Sequence, residues 1–151
     1  MTRRHALLAA LVLTTALGLP SPDAALANDK CRLNTLHGLY VFSAAGFITP
    51  PAPAAAEPKA VVELIRFKGD GTLDVPAATA SINGTIIRAP GTGTYSLAQL
   101  MSPDRACVGS LSFLPSGPHF DVFVPVDGRE IWMIQNDGNN VLQGKVVRLE
   151  D

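Results

Sequence analysis

The segment Phe120-Asp-Val-Phe-Val-Pro-Val-Asp-Gly-Arg-Glu-Ile-Trp-Met-Ile-Gln135 sets the pattern for the whole chain. On its N-terminal side Phe120, Val122, Val124 and Val126 fall on alternate positions. On its C-terminal side Arg129, Ile131, Met133 and Gln135 share one face, and Glu130, Trp132, Ile134 and Asn136 share the other. Alternation with a period of two is the signature of a strand. The Asp127-Gly128 pair between the two runs supplies residues that tolerate positive φ, so the segment is read as a hairpin.

The same grammar extends outward from this hairpin. Short runs of Val, Ile, Phe, Tyr and Thr are divided by Gly69-Asp-Gly71, Asn83-Gly84, Pro115-Ser-Gly-Pro118 and Asp137-Gly-Asn139, and no stretch holds a helical period for long. Strands are expected over 38–47, 60–68, 72–81, 93–98, 108–114, 120–126, 130–135 and 141–149. Eight short antiparallel strands joined by tight turns make an all-β chain with two economical solutions, a closed up-and-down barrel or a two-sheet sandwich. The proline-rich stretch from Thr49 to Lys59 reads as an extended loop, either a flap over a barrel mouth or a surface insertion. A second irregular stretch runs from Ile86 through Arg88 and Pro90 to Gly93.

The N-terminal segment of the chain reads as an export address. Arg3, Arg4 and His5 precede an apolar run from Ala6 to Leu19, followed by Pro20 and the small-residue site Ala25-Leu-Ala27. This is the layout of a secretory signal peptide over 1–27, and its apolar run is shorter than the roughly 20 residues needed to span a bilayer. The expected organisation is thus a leader over 1–27, an N-terminal segment over 28–35 and one β-domain over 36–151, in the periplasm or outside the cell. Cleavage would move the net charge from −1 to −2. So neutral a chain carries no basic stripe for nucleic acid. Cys31 and Cys107 are the two cysteines. In an oxidising compartment an even count favours a Cys31–Cys107 disulfide over two free thiols. Neither cysteine has a metal partner at C-x-x-C spacing, and His37 and His119 make no zinc pattern with them.

The order Leu36-His-Gly-Leu-Tyr-Val-Phe42, Phe67-Lys-Gly-Asp-Gly-Thr-Leu73, Gly91-Thr-Gly-Thr-Tyr95, Cys107-Val-Gly-Ser-Leu-Ser-Phe113, Gly128-Arg-Glu-Ile-Trp-Met-Ile134 and Val141-Leu-Gln-Gly-Lys145 resembles the bacterial exported proteins with an allene oxide cyclase barrel-like domain. The resemblance covers nearly all of the chain beyond the leader. It implies an eight-stranded, lipocalin-like barrel related in shape to plant allene oxide cyclases and dirigent proteins. In those families an apolar cavity steers cyclisation or coupling of a reactive substrate without a bound cofactor. The plant cyclases' catalytic motif does not align residue by residue here, so candidate roles rest on the residues' own chemistry.

Within the second strand Val61, Glu63, Ile65 and Phe67 share a face, and Val62, Leu64, Arg66 and Lys68 share the other. If the first face lines the barrel, Glu63 is a buried carboxyl able to move a proton or orient a polar group. If the second does, Glu63 is an outward residue paired with a cation. Tyr40 and Phe42 share a face of the first strand, and Tyr95 shares one with Gly93 and Leu97. Either tyrosine could give its hydroxyl to Glu63 or sit as a satisfied core aromatic. Trp132 is a cavity wall or a packed core residue. The expected site is therefore Glu63 as the catalytic residue, with Tyr40, Phe42, Ile65, Phe67, Tyr95 and Trp132 around a ligand. Small inward residues such as Ala44, Gly93 and Gly109 would leave room for it. His119 and Asp121 beside Ser110 or Ser112 do not make a hydrolase, since no G-x-S-x-G elbow is present. Asp137-Gly-Asn-Asn140 reads as a hairpin turn rather than a calcium loop. The leading expectation is an exported barrel, monomeric or weakly self-associating, that holds a small apolar ligand without a cofactor, either simply binding it or guiding an isomerisation or cyclisation. Its rival is a filled barrel serving as a structural or interaction module of the cell envelope.

Overall fold

A computed structural model of the chain describes residues 31–100, 106–125 and 127–149; the leader expected over 1–27 lies outside them. The described residues form nine strands: β1 (His37–Ile48), β2 (Glu57–Lys68), β3 (Thr72–Ile82), β4 (Thr85–Arg88), β5 (Gly91–Gln99), β6 (Ala106–Leu114), β7 (His119–Pro125), β8 (Glu130–Gln135) and β9 (Asn140–Arg148). Leaving β4 aside, every strand pairs antiparallel with its chain neighbours, and β1 also pairs with β9. The sheet therefore closes into an eight-stranded up-and-down barrel, with β4 as one extra strand on the β3 edge. Closure removes every sheet edge except that of β4.

Alternation along each strand delivers one residue set to the interior. Tyr40, Phe42 and Ala44 of β1 are buried, as are Ile65 and Phe67 of β2, Phe120, Val122 and Val124 of β7, Ile131 and Met133 of β8, and Leu142 and Val146 of β9. On β3 the parity changes partway. Leu64 lies opposite Ala77 but Arg66 lies opposite Asp74, so Ile65 faces two β3 residues, Val75 and Pro76. A bulge is where a proline, lacking an N–H, fits a sheet. Leu73 and Val75 point inward before the bulge, and Ala78, Ala80 and Ile82 line the interior beyond it.

Two expectations are corrected here. The stretch from Ile86 to Gly93 contains a strand, β4, and the start of another, β5 at Gly91. Both lie along the same edge of β3: β5 pairs with Thr72 to Val75 and β4 with Thr79 to Ile82, either side of the bulge. The Asn83-Gly84 turn joins β3 to β4 with φ of 48° and 85°. Two successive positive φ values are those of a type I′ hairpin, which asparagine and glycine tolerate. The second correction concerns the proline-rich loop, which ends earlier than expected. β2 begins at Glu57, and Pro58 and Lys59 already pair with Phe47 and Gly46.

One end of the barrel is closed by the chain that enters it. A short 3-10 turn, Leu33–Thr35, lays Leu36 into the interior. The Tyr95 hydroxyl lies 2.8 Å from the Leu33 carbonyl and 3.1 Å from that of Leu36. The Tyr40 hydroxyl donates to the Gly128 carbonyl at 2.8 Å. Phe67 sits between the two tyrosines, its ring edge-to-face with each at 5.1 Å. A Cys31–Cys107 disulfide, spanning 76 residues, ties this plug to β6 as the cysteine count led us to expect. A bridge closing so long a loop contributes on the order of 4 kcal/mol in the chain-entropy model.

Candidate functional site

The opposite end of the barrel is hollow. A cavity of about 470 Å³ opens between the β3–β4 hairpin and the turn that joins β6 to β7. Its floor is aromatic: Phe42 and Phe113 each meet Phe120 edge-to-face, at 5.8 and 5.9 Å. Its walls are mostly small or aliphatic, with Ala78, Ala80 and Ile82 from β3 and Ile87 from β4. The bulge at Pro76 turns those alanines inward, so the local backbone irregularity produces the space. Ala44, Gly93 and Gly109 do not line it. A Cβ at Gly93 would meet the Ser112 carbonyl at 2.6 Å, so this glycine serves close strand approach rather than an open volume.

Glu63 is the carboxyl in this cavity. It stands on β2 opposite Phe42 of β1 and Ala78 of β3, on the inward-facing side of the strand. Its Oε1 is buried and makes no hydrogen bond. Burial pushes the Glu63 carboxyl from 4.5 up to about 7, because the charged form loses water and gains no partner in exchange. The expected tyrosine partners are elsewhere, with both hydroxyls committed to backbone carbonyls at the plugged end. Burial raises the pKa of both.

A polar chain crosses the rim. Lys59 Nζ donates to Gln135 Oε1 at 3.3 Å, and Gln135 Nε2 donates to Asp137 Oδ2 at 2.8 Å. Asp137 also accepts from the His119 backbone N–H at 2.8 Å and meets His119 Nδ1 at 2.7 Å. Burial lowers the Lys59 pKa, with Asp137 pulling it back up. Burial works to raise Asp137, but the bonds from His119 and Gln135 outweigh it and leave it below the usual carboxylate range. His119 is thus a partner of Asp137 rather than part of a serine triad. Among the described residues no three His, Cys, Asp or Glu side chains converge as metal ligands would.

Of the residues expected around a ligand, the fold gathers Glu63 and Phe42 at the cavity. Tyr40, Ile65, Phe67 and Tyr95 point inward but pack in the plugged half. Trp132 is neither cavity wall nor core: it is 48% exposed on the outer face, opposite Phe123 and under the Lys145 ammonium at 5.0 Å. Ile131, Met133 and Gln135 take the inward positions of β8, so parity sends Trp132 out. The loop over 49–56 contributes no residue to the cavity lining. Sequence reading missed Lys59, Gln135 and Asp137 at the rim. It also missed the small-residue run Ala77-Ala-Thr-Ala80, whose composition was the available signal for a hollow wall.

No protein-family model, curated protein or solved structure matches the chain. What the fold and its geometry define is a class: a closed antiparallel barrel, plugged at one end and hollow at the other, with one buried carboxyl in the hollow.

Proposed function

We propose that the protein is exported and holds a small, mostly apolar molecule in the open half of its barrel, oriented by the Glu63 carboxyl. The observation that carries this reading is the apolar cavity of about 470 Å³ above a packed, disulfide-tied floor. A pocket of this size, apolar but for a few polar groups such as Glu63 and Lys59, is the usual form of a small-molecule site. The disulfide is compatible with export, and 1–27 has signal-peptide grammar. Glu63 is also the group in the cavity able to give and take a proton near neutral pH. Cofactor-free isomerisation or cyclisation, the chemistry implied by the resemblance to allene oxide cyclase barrel-like proteins, would run through it.

The test is titration of the mature protein with an uncharged solvatochromic naphthalene dye. Saturable one-to-one binding is expected, weakened at least tenfold by Ala80→Phe, which fills the cavity, and unchanged by Phe123→Ser on the outer face. Binding that ignores Ala80→Phe, or is lost in Phe123→Ser, would place the dye on the surface and overturn the reading.

A further inference from the structure

The surroundings of Glu63 point to the charge of the molecule it would meet. Among the described residues no side chain pairs with this carboxyl. Val61 and Ile65 share its face of β2, and Arg66 is exposed on the other. Lys59 shares the face and also lines the cavity, but its Cα stands four residues nearer the mouth, about 13 Å along the strand from that of Glu63. Its Nζ is turned to Gln135. At the rim His119 and Asp137 engage each other. Phe42 from β1 and Ala78 from β3 flank Glu63 directly, and the floor below is the cluster of Phe42, Phe113 and Phe120.

A carboxylate beside aromatic rings in a water-poor site is the chemistry that recognises an ammonium group. The carboxylate gives a charge-assisted acceptor, and ring faces attract a cation through their quadrupole. An anionic head at the same depth would face Glu63 with nothing to offset the repulsion. An alcohol would satisfy the carboxyl with a neutral hydrogen bond, roughly half as strong. The usual objection to a buried ion pair is the cost of desolvating both partners. Here folding has already buried Glu63 Oε1 away from water, so part of the carboxylate's desolvation cost is met before the cation arrives.

Building on the binding reading above, we propose that the ligand is a small lipophilic amine, with an apolar body filling the cavity and a protonated nitrogen paired to the Glu63 carboxylate. This assigns the cavity a preference for cations over neutral and anionic molecules of equal size.

The experiment is displacement of the uncharged dye by octylamine, 1-octanol and octanoate, each below its aggregation concentration, at pH 7.5. Octylamine is expected to displace the dye at a concentration at least tenfold lower than octanol, with octanoate weakest. Glu63→Gln, nearly isosteric, is expected to erase the amine's advantage while octanol affinity stays within about threefold. Octanol or octanoate matching octylamine on the wild type would overturn the proposal, as would an amine preference that survives Glu63→Gln. In both cases the cavity would still be a binding site. If the dye and all three probes fail to bind, the binding reading falls and the amine assignment with it.

Discussion

Glu63 sets a pH dependence whose sign follows from its burial. Its carboxyl is raised from 4.5 to about 7 in the folded chain, so between those values the native state holds a proton that the unfolded state has released. Stability then falls as pH rises through that window, by about 1.4 kcal/mol per unit and ~3 kcal/mol in all. Urea unfolding from pH 4 to pH 8 should show this loss in the wild type and not in Glu63→Gln, which should be the more stable protein above pH 7. Parallel profiles for the two chains would mean the carboxyl is solvated. Alternation alone told which residues share a face with Glu63, but not whether that face was the inner one. The inward choice depends on the register that pairs Glu63 with Phe42 and Ala78, and a one-residue slip exchanges the faces. The same ambiguity misplaced Trp132. Its half-exposed indole should be quenched readily by iodide and should not respond to a ligand in the cavity.

The N-terminal plug and the β3–β4 hairpin are two short elements of opposite character. The plug is covalently tied, and its removal from β6 by Cys31→Ser with Cys107→Ser should lower stability by about 2–5 kcal/mol in denaturant melts. A loss under 1 kcal/mol would show that the tyrosine bonds to Leu33 and Gly128 hold the end closed by themselves. In the hairpin, β4 pairs with β3 alone among the described strands, and the Asn83 N–H at the turn donates to the Pro58 carbonyl of β2 at 2.8 Å. Gly84 has φ +85° and open space around it, so Gly84→Ala meets backbone strain and no clash. The expected cost is about 1 kcal/mol. Hydrogen exchange should quicken at Ile86 and Ile87 and leave Tyr40 and Val122 unchanged. The strands of the closed barrel were readable because each alternates over several residues between turn signals. β4 was not, because four residues beside Ala89-Pro90 are too few to establish a period, and a proline normally argues against a strand. The proline marks the break between β4 and β5, and the bulge across from it at Pro76 is a tertiary feature without a local signature.

Along its axis the barrel changes from solid to hollow, and that asymmetry has an energetic consequence. Which residues share a face could be read from the sequence, but neither the inward face nor the depth along the axis could. Tyr40, Ile65, Phe67 and Tyr95 were therefore grouped with Phe42 around a ligand, although the plug encloses them. Inward residues at the two ends should respond differently to truncation. Phe67 is fully buried between Tyr40 and Tyr95, with the plug preventing relaxation, so Phe67→Ala should cost about 3–5 kcal/mol through lost burial and a dry void. Ile82 is equally an inward residue of the barrel, but it borders the open cavity and is only partly buried. Ile82→Ala enlarges a space that already exists, so its cost should stay near 1 kcal/mol, from lost area alone. Paired urea melts of the two variants measure the difference. Equal losses would mean that the open end packs as tightly as the plugged one in solution, which would leave no room for a ligand beside Glu63.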